Sequence, residues 1–236
     1  MIFYKNTKTV KNTAEKLLNS PFMQKLPLPL GCKKLIAFTL AEVLITLLII
    51  GVVASIVVPA LVQDTQDAEL KTAWKKTYSN FSQVSMKMVM DNGGNLKGIF
   101  TSDDEVYYQL RKYVNIAKYC RYGTILGNCW HNNQTKTLNG FYTWPNGTGF
   151  ILNNGNLMFL NSRSLNCEGL PDNFCLHFSI DINGFKGPNT IGKDILGFYI
   201  FKNSIKPKGY QGDTYYQNTC DKDHQGWSCS VQYLYQ

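Results

Sequence analysis

Between Lys34 and Asp64 the chain carries a single charge, Glu42, inside the run AFTLAEVLITLLIIGVVASIVVPAL from Ala37 to Leu61. An apolar stretch of this length crosses a hydrocarbon core of roughly 30 Å as one helix. The carboxylate is the anomaly, because a charge at the centre of a membrane helix costs about 2.5–3.5 kcal/mol on insertion scales. An ionisable residue retained in such a place reads as functional. Two plainer readings of the run are a secretory signal and a signal anchor holding an exported domain. A secretory signal has an apolar core of only about 7–15 residues and no carboxylate within it.

The net charge of +8 is concentrated ahead of this run. The first 37 residues hold seven Lys, among them Lys33 and Lys34, against one acid, Glu15; the remaining 199 hold 17 Lys and Arg against 15 Asp and Glu. A basic total would suit a nucleic-acid binder, but without its N-terminal segment the chain is close to neutral, so no nucleic-acid partner is expected. The lysines mark the cytoplasmic side of the membrane and place everything after Val62 outside. Both Met1 and Met23 are compatible starts.

Lys33 and Lys34, a small residue at Ala37, and then Phe38, Thr39, Leu40, Ala41 and Glu42 leading into the apolar run resemble the prepilin N-terminus. This is the class III signal shared by type IV pilins and the pseudopilins of type II secretion systems. The resemblance implies a prepilin peptidase that cuts between Ala37 and Phe38 and methylates the new amine. Ala37 stands where the family usually has Gly. It also implies that Glu42 faces the Phe38 amine of a neighbouring pilin or pseudopilin subunit, and a pair of opposite charges in low dielectric is far less costly than a lone one. The protein would sit in the bacterial inner membrane as a single pass and then enter a pilus or pseudopilus, as a homo- or hetero-polymer. The alternatives are a minor tip subunit or adhesin that binds a surface, DNA or a secretion substrate, and a membrane-anchored periplasmic domain that never polymerises.

Gly51 and Pro59 interrupt the run, Gly by exposing backbone and Pro by lacking an N–H and clashing with the preceding turn, so a kink is expected. The resemblance implies that the stretch between them loosens on assembly. Beyond it, Leu70, Ala73, Trp74, Thr77, Tyr78, Phe81, Val84 and Met88 recur at helical spacing opposite Lys71, Lys75, Ser79, Gln83 and Lys87. That spacing predicts an amphipathic helix continuing to Asn92, ended by Gly93 and Gly94. Segments are thus expected at 1–37 (leader), 38–62 (membrane and polymerisation helix), 63–92 (amphipathic continuation) and 93–236 (globular domain).

In the globular part, Ser102-Asp103-Asp104-Glu105 has the form of a capping box, and Val106, Leu110, Tyr113, Val114 and Ala117 predict a helix from about Asp103 to Lys118. Thr148 to Asn153 and Asn156 to Leu160 flank Asn154-Gly155 as a hairpin, and Cys175 to Ile182 and Ile195 to Lys202 read as two more strands. The fold class expected is α+β, with a long helix packed on a small antiparallel sheet. It is also the layout that the pilin resemblance implies.

Cys120, Cys129, Cys167, Cys175, Cys220 and Cys229 lie in the exported part, while Cys32 falls in the leader. An even count in an exported domain reads as disulfides, and although six cysteines allow fifteen pairings, their grouping favours 120 with 129, 167 with 175 and 220 with 229. Zinc is the competing reading, prompted by Cys129-x-His131, Cys175-x-His177 and His224, but the spacings fit no standard zinc motif. Asp181 and Asn183 alternate as at the start of a calcium loop, with Asp194 as a third oxygen ligand. Phe185, however, stands where another oxygen is wanted and no Glu closes the loop. The plainer reading is a turn in which Asp and Asn hold their own backbone. The stretch also resembles a D-x-N-G-x-K-G-P-N segment of one group of prepilin-like proteins. Nothing matches a nucleophile elbow, a phosphate loop or a paired-carboxylate site, and no enzyme is expected. Tyr210, Tyr215, Tyr216, Trp227, Tyr233 and Tyr235 near the C-terminus suit either a recognition face or a segment packed on the sheet.

Overall fold

The computed structural model describes residues 38–132, 135–143, 145, 147–168 and 171–236; residues 1–37, expected as a leader and including Cys32 and Ala37, lie outside them. The chain divides into two compact units, Met1–Ser55 and Ile56–Gln236. Helix α1 runs over Leu40–Asp91 and contains Pro59. In the first unit the helix is exposed on every side: Leu44, Ile45, Leu48 and Ile49 all face solvent. Thr46 and Ser55, its two hydroxyl residues, donate back to the carbonyls of Val43 and Val52 at 2.9 and 2.7 Å. Both hydroxyls are thereby satisfied without recourse to water.

In the second unit α1 becomes one-sided. Trp74, Thr77, Phe81, Ser85 and Met88 are buried at the three- and four-residue spacing that places them on one stripe. Its end is a Schellman motif. Gly94 N–H donates to the Val89 carbonyl at 2.8 Å and Gly93 N–H to that of Met90 at 3.3 Å, with Gly93 at φ +72, a left-handed conformation that a Cβ would strain.

The buried stripe lies on a six-stranded sheet, all antiparallel, in the order β1-β4-β5-β6-β7-β8. Its strands are β1 (Ile116–Cys120), β4 (Thr148–Leu152), β5 (Leu157–Arg163), β6 (Leu176–Asp181), β7 (Ile195–Ile200) and β8 (Ile205–Pro207). β2 (Thr135–Lys136) and β3 (Tyr142–Thr143) form a separate pair. The Asn154-Gly155 hairpin joins β4 to β5 with Ile151 opposite Leu157. Because side chains alternate across a strand, Leu176, Phe178 and Ile180 of β6 and Leu196, Phe198 and Ile200 of β7 join Trp74, Phe81 and Met88 in one core. The rings of Phe81 and Phe198 pack at a tilt of 37° with centroids 4.9 Å apart.

The other face of the sheet is buried as well. Leu157, Phe159 and Ile195 pack with Ile125, Trp130 and Trp227, and Tyr199 with Phe174 and Phe201. This explains why β7 reads as an almost continuous apolar run instead of an alternating one. The cover on this side is built from loops. The three sequence-local cysteine couples lie at disulfide distance, with Cα separations of 6.1 Å (120–129), 4.0 Å (167–175) and 4.7 Å (220–229). Of the C-terminal aromatics, Trp227 is buried and Tyr216 half-buried against the sheet, while Tyr215 and Tyr235 stay exposed. A short helix α3 (Cys229–Tyr235) closes the chain. Its Ser230 carbonyl accepts from Trp74 Nε1 at 2.7 Å, and its Ser230 hydroxyl accepts from Gly197 N–H at 2.9 Å.

One expected element is shorter than its apolar spacing suggests. Helix α2 spans Asp103–Leu110, with Ser102 Oγ accepting from Glu105 N–H as the capping box requires. It stops at Leu110 rather than Lys118, and Ile116–Cys120 becomes edge strand β1, with Tyr119 opposite Phe150. Pairing with β4 outweighs weak helix propensity in a segment carrying Val114, Ile116 and Tyr119.

Phe81→Ala removes a ring from the centre of the helix–sheet core and is expected to cost about 3–5 kcal/mol. Met86→Ala, on the exposed side of the same helix, is expected to stay within about 0.5 kcal/mol of wild type. Urea unfolding of both variants in detergent checks the pair.

Candidate assembly site

Glu42 lies in the first turn of α1, with Thr39 immediately before the helix. Thr39 N–H donates to Glu42 Oε2 at 2.8 Å and Thr39 Oγ1 donates to the same oxygen at 3.0 Å. Glu42 N–H lies 3.2 Å from Thr39 Oγ1. This is a reciprocal capping box, the T-x-x-E form in which residue N3 reaches back to the N-cap. The signal was available in the sequence as Thr39-Leu40-Ala41-Glu42 and is easily overlooked beside the longer apolar pattern. The carboxylate of the apolar run therefore has a partner within its own chain, and the positive end of the helix dipole favours it further.

Around that cap the surface is apolar. Phe38 is 79% exposed and Leu40 78%, and α1 is long and apolar enough to cross a membrane. Gly51 and Pro59 both lie inside α1, which runs through them without interruption. Pro59 has no N–H to offer the carbonyl four residues before it, so the ladder lacks one bond at Ser55. Ala37, the expected residue before the cut, lies outside the described residues.

The proposed calcium ligands Asp181, Asn183 and Asp194 do come together, and the structure gives the oxygens of the two aspartates other partners. Asp181, fully buried, has Oδ2 2.8 Å from His131 Nε2 and Oδ1 accepting from Asn183 N–H at 3.1 Å. Asp194, also fully buried, accepts from Thr190 N–H and Asn189 N–H, both at 2.7 Å. The loop between β6 and β7 is thus wound around two carboxylates in the manner of Asx turns. The amide oxygens of Asn183 and Asn189 are buried without a partner. Among the described residues no group of three or more His, Cys, Asp or Glu is placed to hold a metal ion. With the six cysteines paired, the zinc reading loses its thiolates. His131 faces Asp181, and His224 Nδ1 lies 2.7 Å from Asp221.

Burial pushes the Asp181 carboxyl up to about 7, against the lowering effect of its His131 hydrogen bond, with Asp194 adding to the rise. Burial likewise raises Asp194. On the outer face of the sheet Lys208 is fully buried, its Nζ 3.2 Å from the Trp227 ring centroid and 3.4 Å from Ser179 Oγ. Desolvation holds its ammonium well below the usual lysine range, opposed by Asp213. A Cβ at Gly197 would lie 2.6 Å from Lys208 Cδ, so only Gly lets this side chain cross β7. No motif announces a buried lysine, and sequence reading passes over it.

An acid whose folded pKa is raised contributes stability that is complete below its unfolded pKa and is lost as pH rises through the folded one. Between pH 4 and 7 Asp181 therefore weakens the fold progressively. Asp181→Asn is expected to gain stability relative to wild type over that window, on the order of 2–4 kcal/mol by pH 7.5. Paired urea titrations from pH 4 to 8 read the difference.

A comparison of this chain with known protein families, with curated proteins and with solved structures finds no match.

Proposed function

We propose that this chain is a structural subunit of a type IV pilus or of a type II secretion pseudopilus. It is held in the bacterial inner membrane by α1, trimmed before Phe38 by a prepilin peptidase, and polymerised with like subunits through the apolar half of that helix. The observation that carries this reading is Glu42, the single acid of the apolar run, capped in the first turn of a helix whose apolar first part, from Leu40 to Val62, is exposed. A membrane anchor alone needs the apolar length, and its first turn can be capped by an uncharged Gln, so a retained charge points beyond anchoring. In this reading Glu42 meets the amine of Phe38 on the next subunit, which removes the cost of a lone buried charge.

The cap and the intersubunit pair are separable, because Gln replaces Glu in a capping box while carrying no charge. Glu42→Gln and Glu42→Val are both expected to insert normally and to leave sheared-filament yield far below wild type. Normal filaments from Glu42→Gln would reduce the role of the residue to starting the helix. Mass analysis of the membrane-embedded protein is expected to show a chain beginning at methylated Phe38, and an intact leader would refute processing.

A further inference from the structure

A cleft of about 530 Å³ opens where the middle of α1 meets the turn before β1 and the β4–β5 hairpin, within the roughly 300–1,000 Å³ range of small-molecule sites. Its floor is apolar: Phe81, Val84, Val114 and Leu152. Its walls are carboxamides. Asn80 and Gln83 come from α1, Asn115 from the turn and Asn153 from the hairpin. Among the described residues none of these four side chains makes a hydrogen bond within the chain, whereas Asn156, deeper in the cleft, is spent on Thr77 at 3.3 Å. The ring of Tyr113 lies half-buried in the wall, with Lys87 Nζ 5.9 Å from its centroid.

The charge in the cleft has one sign. Lys87 and Lys112 both line it, and no Asp or Glu does. Asp91, one turn beyond Lys87, is engaged by the Tyr113 hydroxyl at 2.9 Å, and Lys112 donates only to the neutral Gln109 at 2.8 Å. Asn80, Gln83 or Val84, and Lys87 succeed one another at three- and four-residue intervals, which stacks them on one helix face.

We infer that this cleft binds an acidic sugar, a pyranose bearing a carboxylate, as a unit of an anionic glycan. Each free carboxamide offers a donor and an acceptor, which matches sugar hydroxyls that both give and take hydrogen bonds. The phenol ring and the apolar floor suit the C–H face of a pyranose, while the two exposed ammonium groups, with no acid in the lining, complement a carboxylate. A nucleic acid is the poorer fit, because it calls for an extended basic track with several stacking aromatics. The inference stands independently of filament assembly.

The test uses the full chain in detergent micelles and isothermal titration at low salt. The probes are a short oligogalacturonate, the same oligosaccharide with its carboxyls reduced, and a single-stranded oligonucleotide of equal charge. The oligogalacturonate is expected to bind, the reduced sugar at least tenfold more weakly, and the oligonucleotide more weakly than the oligogalacturonate. Lys87→Gln and Asn153→Ala, both on exposed side chains, are expected to weaken binding about tenfold with unchanged melting temperature. Absence of binding, equal binding of the reduced sugar, preference for the oligonucleotide, or wild-type affinity in both variants would each overturn the proposal.

Discussion

The globular unit depends on one constraint: its central strands are apolar on both faces, so the sheet needs two covers. On one face the cover is the stripe Trp74, Phe81 and Met88 of α1, pressed on Phe178, Phe198 and their neighbours. That contact joins residues 90 to 124 positions apart, and burying side chains of this size is the largest favourable contribution available to a small domain. The other face is covered differently. There the cover is assembled from loops carrying Ile125, Trp130 and Trp227, tied by cysteine pairs.

A cover made of loops has a polar backbone that must be satisfied out of reach of water. Three buried aspartates do much of this. Asp181 and Asp194 take amide protons from the β6–β7 loop. Asp213 accepts from Gly209 at 2.7 Å and from Tyr215 and Tyr216 at 3.1 Å each. Each carboxylate is desolvated, yet each replaces a ladder of backbone bonds that an irregular segment cannot make for itself. Lys208, laid beneath Trp227, is a buried amine of the same layer, and its aliphatic stem packs where a shorter residue would leave a hole. The carboxylates of Asp181 and Asp194 thus help to wind the loop itself, while Asn183 Oδ1 is left without a partner.

Features carried by neighbours in sequence were legible from it. The Schellman glycines at Gly93 and Gly94, the Asn154-Gly155 hairpin, the Ser102 capping box and the three short cysteine couples all rest on interactions spanning fewer than a dozen residues. The apolar spacing from Arg111 to Lys118 is compatible with the helix expected there, and only the presence of β4 beside it selects the strand. The capping box at Thr39 and Glu42 could have been found from its T-x-x-E pattern.

By itself, then, the sequence determined the apolar run with its lone acid, the amphipathic stripe after it, the turn positions and the α+β class, since each follows from periodicity or from backbone preferences that act over a few residues. The tertiary structure decided which strands are neighbours, that both faces of the sheet are covered, that His131 faces Asp181 and that Lys208 is interred. It also decided that Asn80, Lys87, Asn115 and Asn153 surround one cleft. Those outcomes depend on pairing between distant segments, where many partners are chemically acceptable. The choice is made by the packing of the whole core, which no local pattern encodes.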